Sequence, residues 1–328
     1  SLPWWMLGVS GMAANTDLAG TMVISALIYA LGAKGFFIEI RGGVVLIMAF
    51  LMVFMGKWNR RAQVMTMAEW MQFRFGTGRQ GKTARIISAI ATIFFSIGTM
   101  SYFSVAGGKF LGQFLGMDDR LASILLVLLT LIYTVVSGFY GGVITDLFQG
   151  VLIFFAIIYV CVIALTTVTL PESFSVAIGG SEQLKTWSFQ EWSSIVPPLT
   201  VDLPGDYAIF NLFGGVVAFY LLKTVIEGCS GSGGYMLQRY LAAKSDRDAG
   251  LLSLFWILLL SFRWPLMTAF ALLGIHYNLT RGTITDPELI LPTVLAEYIP
   301  VGMKGLLVAS FLAAAMSTFN AIINSGAA

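Results

Sequence analysis

The chain has 328 residues, 57% of them hydrophobic and 11% charged, with a net charge of +2 and a mean hydropathy of +0.84. Soluble domains carry about 25% charged residues, so the composition excludes an ordinary soluble domain and points to a multi-pass protein in a lipid bilayer. No basic patch interleaved with aromatics occurs in a soluble segment, so no nucleic-acid partner is expected.

Stretches of about 20 apolar residues, enough to span a bilayer, recur eight times: 5–31, 36–56, 86–115, 121–140, 147–170, 208–234, 251–275 and 305–328. The first opens at Pro3-Trp4-Trp5 without a basic leader or a small-residue cleavage site, so it reads as a span and not a signal peptide. In its middle stand Ala13-Ala14-Asn15-Thr16-Asp17, bracketed by Gly8, Gly11 and Gly20. A carboxylate and a carboxamide at that depth are costly in hydrocarbon and usually line a cavity or an ion path. The surrounding glycines predict a break in the helix that leaves carbonyls free to bind a cation.

Basic residues set the topology. The loop after the second span holds Lys57, Arg60, Arg61, Arg74, Arg79, Lys82 and Arg85 against Glu69 alone, which places it in the cytoplasm. Arg239, Lys244 and Arg247, after the sixth span, fit the same side. The connection 171–207 holds Glu172, Glu182, Glu191, Asp202 and Asp206 against Lys185 alone, which places it outside. The proline-bounded apolar segment 287–300 reads as an interfacial, lid-like helix. Cys161 and Cys229 both fall inside spans, so no disulfide framework or cysteine metal site is indicated.

The sixth span runs into Gly228-Cys229-Ser230-Gly231-Ser232-Gly233-Gly234, which holds a straight helix poorly. Breaks in spans one and six suit a five-plus-five inverted repeat; glycines that only permit close helix packing are the alternative. The repeat divides the chain into a first five-helix unit at 1–170, an outer connection at 171–207 and an incomplete second unit at 208–328. The chain stops inside an apolar helix, so further spans are expected to follow. The remaining intramembrane charges are Arg41, Lys223, Glu227 and Arg263, with Lys223 and Glu227 spaced to pair on one helix face. Gly228-Cys229-Ser230-Gly231 also matches the Gly-x-Ser-Gly of rhomboid proteases. A serine nucleophile needs a base within reach, and the sole histidine, His276, lies at the outer end of span seven. No enzyme is expected.

Several motifs agree on one family. Gly141-Gly142-Val143-Ile144-Thr145-Asp146-Leu147-Phe148-Gln149 resembles the signature of the sodium:solute symporters, the carriers that couple sodium to galactose, proline or sialic acid. So do Gln238-Arg239-Tyr240-Leu241-Ala242-Ala243-Lys244, Thr66-Met67-Ala68-Glu69-Trp70 with Arg74-Phe75, and the helix from Gly305 through Met316-Ser317-Thr318 to Ser325. The resemblance implies an all-α integral membrane protein of the LeuT-type inverted-repeat fold, cut to about eight core helices. It implies Na+ as the coupling ion, held by carbonyls of Ala13, Thr16 and Ala314 and hydroxyls of Ser317 and Thr318. Oxygen ligands suit such a hard cation.

For Asp146 a helix cap or a gating role is preferred. A second sodium site with Asn320 is the alternative, and Ala321 offers no side-chain oxygen to it. The substrate pocket implied by the resemblance comprises Asn15, Asp17, Gly20, Glu39, Cys229, Ser230 and Arg263. Glu39 matches a sugar-binding glutamate, whereas Gly20, Cys229 and Ser230 depart from the sugar carriers. Asp17 is an added acid beside the sodium site, and Arg263 suits a carboxylate or vicinal hydroxyls. The expected function is sodium-coupled import of a small polar solute, a sugar or related compound, across the cell membrane (a bacterial inner membrane) by alternating access. A carrier of organic acids or amino acids, and a sensor that feeds a cytoplasmic signalling domain, are the alternatives. The oligomeric state is left open.

Overall fold

The computed structural model describes residues 2–40, 44–64, 66–178, 184–230 and 235–327. The first span is split in two: α1 runs from Trp4 to Asn15 and α2 from Leu18 to Leu31. A 3-10 turn at Gly32–Gly35 reverses the chain into α3 (Phe36–Glu39). The second span continues through α4 (Val44–Phe50), one π-helical turn at Leu51–Met55 and α5 (Gly56–Arg61). Arg41, expected to be an intramembrane charge, lies outside the described residues. Next come α6 (Met67–Phe75), α7 (Arg79–Leu115) and α8 (Asp119–Thr167).

Spans four and five, expected as 121–140 and 147–170, are two helical stretches that meet at a kink at Gly138, whose φ of 56° belongs to the left-handed region. That conformation is open to glycine at little cost.

The outer connection is not all irregular. Ser173–Ala177 (β1) and Leu184–Ser188 (β2) form an antiparallel ribbon, with Phe174 opposite Trp187, followed by α9 (Phe189–Ser193). The fold is mostly helical, as expected, and this ribbon is an addition to it in the outer connection. Its aromatic side chains anchor it: Trp187 Nε1 donates to Ala30 O at 3.2 Å and Trp192 Nε1 to Tyr29 O at 3.3 Å, while Lys34 Nζ donates to Glu191 O at 2.9 Å. The two indole bonds fall on carbonyls of the last turn of α2, where helical partners run out.

The second half comprises α10 (Phe213–Ser230), α11 (Tyr235–Ala242), α12 (Asp246–Ser261), α13 (Arg263–Thr280), α14 (Ile290–Tyr298) and α15 (Val301–Ala327). The glycine run expected to break span six ends in 231–234, outside the described residues. Span seven bends at Phe262, and Pro265 sits in the first turn of α13, where no helical N–H is required of it. Lys223 and Glu227 pair at 2.8 Å, as their spacing predicts.

Among the described residues, six stretches are long and apolar enough to cross a membrane: Leu18–Arg61, Arg79–Leu115, Asp119–Val136, Gly141–Thr167, Asp246–Thr280 and Val301–Asn324. Eight were expected. The stretch Leu18–Arg61 takes in parts of the first two expected spans, and the sixth, expected at 208–234, runs into residues outside the described part. The buried centre is built from α1, α2, α12, α13 and α15, around Leu7, Met22, Trp256, Phe270 and Phe319. The α7 and α8 helices expose Ile86, Phe94, Val135 and Val136 on their outer faces, as lipid-facing helices do.

The two ends of the bundle sort as the charge count predicts. At one end Leu2 N–H donates to Ala242 O, Arg60 Nε to Ala243 O, and Arg60 and Arg61 both pair with Asp246. At the other lie the ribbon and the contact of Lys109 Nζ with Glu288 at 2.6 Å.

Candidate ion and solute site

The break between α1 and α2 is two residues long. Thr16 closes α1: its N–H and its hydroxyl both donate to Met12 O, at 2.7 and 2.9 Å. Asp17 is extended (φ −70°, ψ 153°) and caps α2, its Oδ1 accepting the Gly20 N–H. That cap has a consequence for Thr16. In a continuous helix the Gly20 N–H would serve the Thr16 carbonyl four residues earlier. Turned to Asp17 instead, it leaves that carbonyl without its helical donor. The Ala13 carbonyl loses its own helical donor because Asp17 leaves helical geometry. The two carbonyls expected as sodium ligands are among those that the break leaves without helical donors.

Across from the break stands α15. Ser317 and Thr318 follow Ala314 by three and four residues, which puts both beside it on the helix surface, and all three are buried. Thr318 Oγ1 lies 2.8 Å from Ala14 O and 3.0 Å from Ala314 O. The structure thus joins the two expected halves of the ion site through Thr318. The carbonyl that Thr318 reaches on α1 is that of Ala14, one residue beyond the expected Ala13. Ser317 is turned differently: its Oγ donates to Asp146 Oδ1 at 2.6 Å.

One residue past the break, four of the expected pocket residues converge. Arg263 Nη2 stands 3.5 Å from Asp17 Oδ2, and Nη1 3.6 Å from Glu39 Oε1. Its Nε and Nη2 are buried without a hydrogen-bond acceptor. A Cβ on Gly20 would lie 2.4 Å from Nη2, so the guanidinium occupies the space that the missing side chain leaves. The bend at Phe262 places Arg263 here, at the first position of α13. Asn15 is buried beside the break. Cys229 and Ser230 close α10, and their side chains lie outside the described part of the chain.

Two expectations are corrected. Asp146 does not cap a helix: it lies inside α8, well past the bend, and is 2% exposed. Hydropathy ends one span at 140 and opens the next at 147, but the helix runs through the gap. Arg239 was counted as a cytoplasmic loop base, yet it lies in α11, is 2% exposed, and donates from Nη2 to Ser10 O at 3.1 Å and Ser10 Oγ at 2.9 Å. Ser10 in turn donates to Asp146 Oδ2 at 2.5 Å. Asn320, weighed as a second-sodium ligand, accepts through Oδ1 from Asn324 Nδ2 at 2.8 Å. Sequence reasoning missed Ser10 and the burial of Arg239. The only signal was the Gln238-Arg239-Tyr240 motif, which carried the resemblance but not the environment.

Comparison with known proteins bears on the family and the fold. The chain is 26% identical over 357 residues to the mouse sodium/myo-inositol cotransporter 2, covering 98% of this chain and 49% of that protein. It is 26% identical over 360 residues to the zebrafish sodium/glucose cotransporter 4, covering 99% and 50%. It spans about half the length of these curated relatives. Among solved structures, the substrate-bound outward-open state of a Na+-coupled sialic acid symporter superposes with a TM-score of 0.74, covering 99% of this chain and 64% of that one at 19% identity, which shows a shared fold. The model of the sodium:solute symporter family matches residues 1–328. On that match, the chain belongs to the sodium:solute symporter family.

Proposed function

We propose that the protein is a sodium-coupled secondary transporter that imports a small neutral polar solute by alternating access. One observation carries this reading: the Thr318 hydroxyl of α15 reaches the Ala14 carbonyl at the break in α1, beside carbonyls that have lost their helical partners. Ala13, Thr16, Ala314, Ser317 and Thr318 supply oxygens alone, the donor set that suits Na+. The 1–170 and 208–328 units then act as the two repeats that rock about this site, joined by the outer connection 171–207. The cell membrane is the setting, since a maintained sodium gradient does the work. One Na+ entering across 100 mV gains about 2.3 kcal/mol, and a tenfold concentration gradient adds about 1.4 kcal/mol. Together these support accumulation on the order of several hundredfold per ion.

The pocket charges favour a neutral solute over an organic acid. Arg263 faces two carboxylates, Asp17 and Glu39. With one Na+ bound nearby, these four charges cancel. An anionic solute would leave a net negative charge in a buried site, which is expensive. Hydroxyl groups, by contrast, donate to both carboxylates and accept from the free Arg263 N–H groups. The relatives named for myo-inositol and glucose agree with such a solute. The test is uptake by the full-length protein in proteoliposomes, with and without a sodium gradient, comparing polyols and sugars with organic acids and amino acids. Sodium-driven accumulation of a neutral polyol is expected. Sodium-independent uptake, or accumulation of acids alone, overturns the reading.

A further inference from the structure

The cytoplasmic end of α7 joins two surfaces on one helix face. Arg79 and Lys82, at the start of the helix, are exposed. Ile86, Ile90, Ile93 and Ile97 follow them at steps of three and four residues, which keeps all of them on one side of the helix. The isoleucines are exposed too. From Ile86 to Ile97 the helix rises about 16 Å. One leaflet of hydrocarbon is about 15 Å deep. The apolar stripe thus has the length of one acyl layer, and the two bases stand just beyond its end, at headgroup level.

The α6 helix adds to this end. Gly76 follows it with a φ of 81°, and a Cβ on Gly81 would overlap the Gly76 carbonyl, so the turn folds the end of α6 tightly against the start of α7. Arg85 Nη1 donates to Gln72 Oε1 at 2.8 Å and ties the two helices. Phe73, Arg74 and Phe75 are exposed there, and aromatic rings beside a base are a pattern of the membrane interface. Arg60 and Arg61, in the segment before, are held by Asp246. Among the described residues, Arg74, Arg79 and Lys82 form no ion pair.

We propose that this end of α6 and α7 is a docking site for an anionic phospholipid of the cytoplasmic leaflet. Its headgroup phosphate meets Arg79 and Lys82, with Arg74 beside them, and an acyl chain lies along the isoleucine stripe. Bases without carboxylate partners favour an anionic headgroup over a zwitterionic one. The stripe favours a lipid over a soluble anion, which would engage the bases and leave the isoleucines unmet. An excess of bases on the cytoplasmic side sets orientation wherever in the loops it falls; here the bases are in register with an apolar face one leaflet long.

The test is native mass spectrometry of the full-length protein in mild detergent, with phosphatidylglycerol and phosphatidylcholine of matched acyl chains offered together. Preferential retention of phosphatidylglycerol is expected. A base near an anionic surface contributes about fivefold, so Arg79→Gln/Lys82→Gln should lower the preference on the order of tenfold. Arg79→Lys/Lys82→Arg should keep it. Lys57→Gln/Lys244→Gln removes the same charge from exposed positions at the same end and should leave the preference unchanged. Excess glycerol phosphate should not displace the lipid. Equal retention of the two lipids by the wild type overturns the proposal, whether a further segment of the chain or a second copy covers the face. An unchanged preference in Arg79→Gln/Lys82→Gln overturns it as well. So does an equal loss in Lys57→Gln/Lys244→Gln, which would make the preference a property of overall charge. Displacement by glycerol phosphate would make the site one for soluble anions and overturn it too.

Discussion

Asp17 has two separable roles, and two substitutions divide them. Its Oδ1 caps α2 through the Gly20 N–H, and its Oδ2 faces Arg263 at 3.5 Å. Asp17→Asn keeps a capping oxygen, since asparagine caps about as well as aspartate, and removes the charge. Asp17→Ala removes both. Loss of such a cap costs about 1 kcal/mol. Without it the Gly20 N–H returns to the Thr16 carbonyl, which then competes with sodium. That 1 kcal/mol corresponds to about fivefold in apparent sodium affinity. The charge acts on both variants alike. At 3.5 Å and an effective dielectric near 20, the attraction between Asp17 and Arg263 is about 5 kcal/mol before desolvation is subtracted. Glu39, 3.6 Å from the same guanidinium, compensates part of the loss. Both variants therefore weaken sodium binding, and alanine should exceed asparagine by about fivefold in half-saturation. Both should also shift the uptake ratio of a hexuronate to a neutral polyol by about tenfold toward the acid, equivalent to about 1.4 kcal/mol. Radiolabelled uptake over a sodium titration reads both quantities. Equal half-saturation for the two variants refutes the capping argument, and an unmoved acid-to-polyol ratio refutes the charge argument.

Three further outcomes follow from other contacts. Thr318→Ala removes the hydroxyl that joins α15 to the break, and sodium half-saturation should rise at least tenfold while Thr318→Ser stays near wild type; equal curves would remove Thr318 from the ion site. Gly20→Ala puts a methyl group where Arg263 Nη2 lies, so solute affinity should fall by about tenfold with sodium binding changed much less, as measured by solute binding at saturating sodium. Trp187→Phe deletes the bond to Ala30 O, worth about 1 kcal/mol. It should speed hydrogen exchange in β1 and β2 selectively, and unchanged exchange there would show that the ribbon is held by packing alone.

What the sequence disclosed and what it hid have physical causes. Asp17, Glu39 and Arg263 were legible because a charge within an apolar run is costly enough to require a purpose. The break at Thr16–Asp17 was legible because polar residues and glycines interrupt an otherwise continuous apolar run. Asp146 was misjudged because Gly141 and Gly142 lower the local hydropathy, although the helical hydrogen bonds pass through them. Arg239 was misjudged because charge counting treats every base near a span end as solvated, and cannot see a carboxylate on another helix. Ser10 carried no signal, since a lone serine in a membrane helix usually bonds its own backbone. The ribbon was hidden in a segment judged by its acidic charge, although Phe174 and Val176 alternate there with Ser173 and Ser175 as strand residues do.

Proton accounting at Thr318 links these residues into one mechanism. The hydroxyl lies near two acceptors, Ala14 O on α1 and Ala314 O on its own helix, but holds a single proton. Without sodium, donation to Ala14 tethers α15 to α1. On the proposed reading, a bound sodium would be held by the Thr318 oxygen and α1 carbonyls, with the Thr318 proton left to Ala314 O. One neutral hydrogen bond, worth about 1 kcal/mol, is exchanged for cation–oxygen contacts that bridge the same two helices. Ser317 is placed differently: its hydroxyl donates to Asp146 Oδ1 and not to a backbone carbonyl. On the proposed reading, ion binding would change the bonding of Thr318 while Ser317 stays bonded to Asp146, so the contact between α1 and α15 would answer to the ion through one hydroxyl.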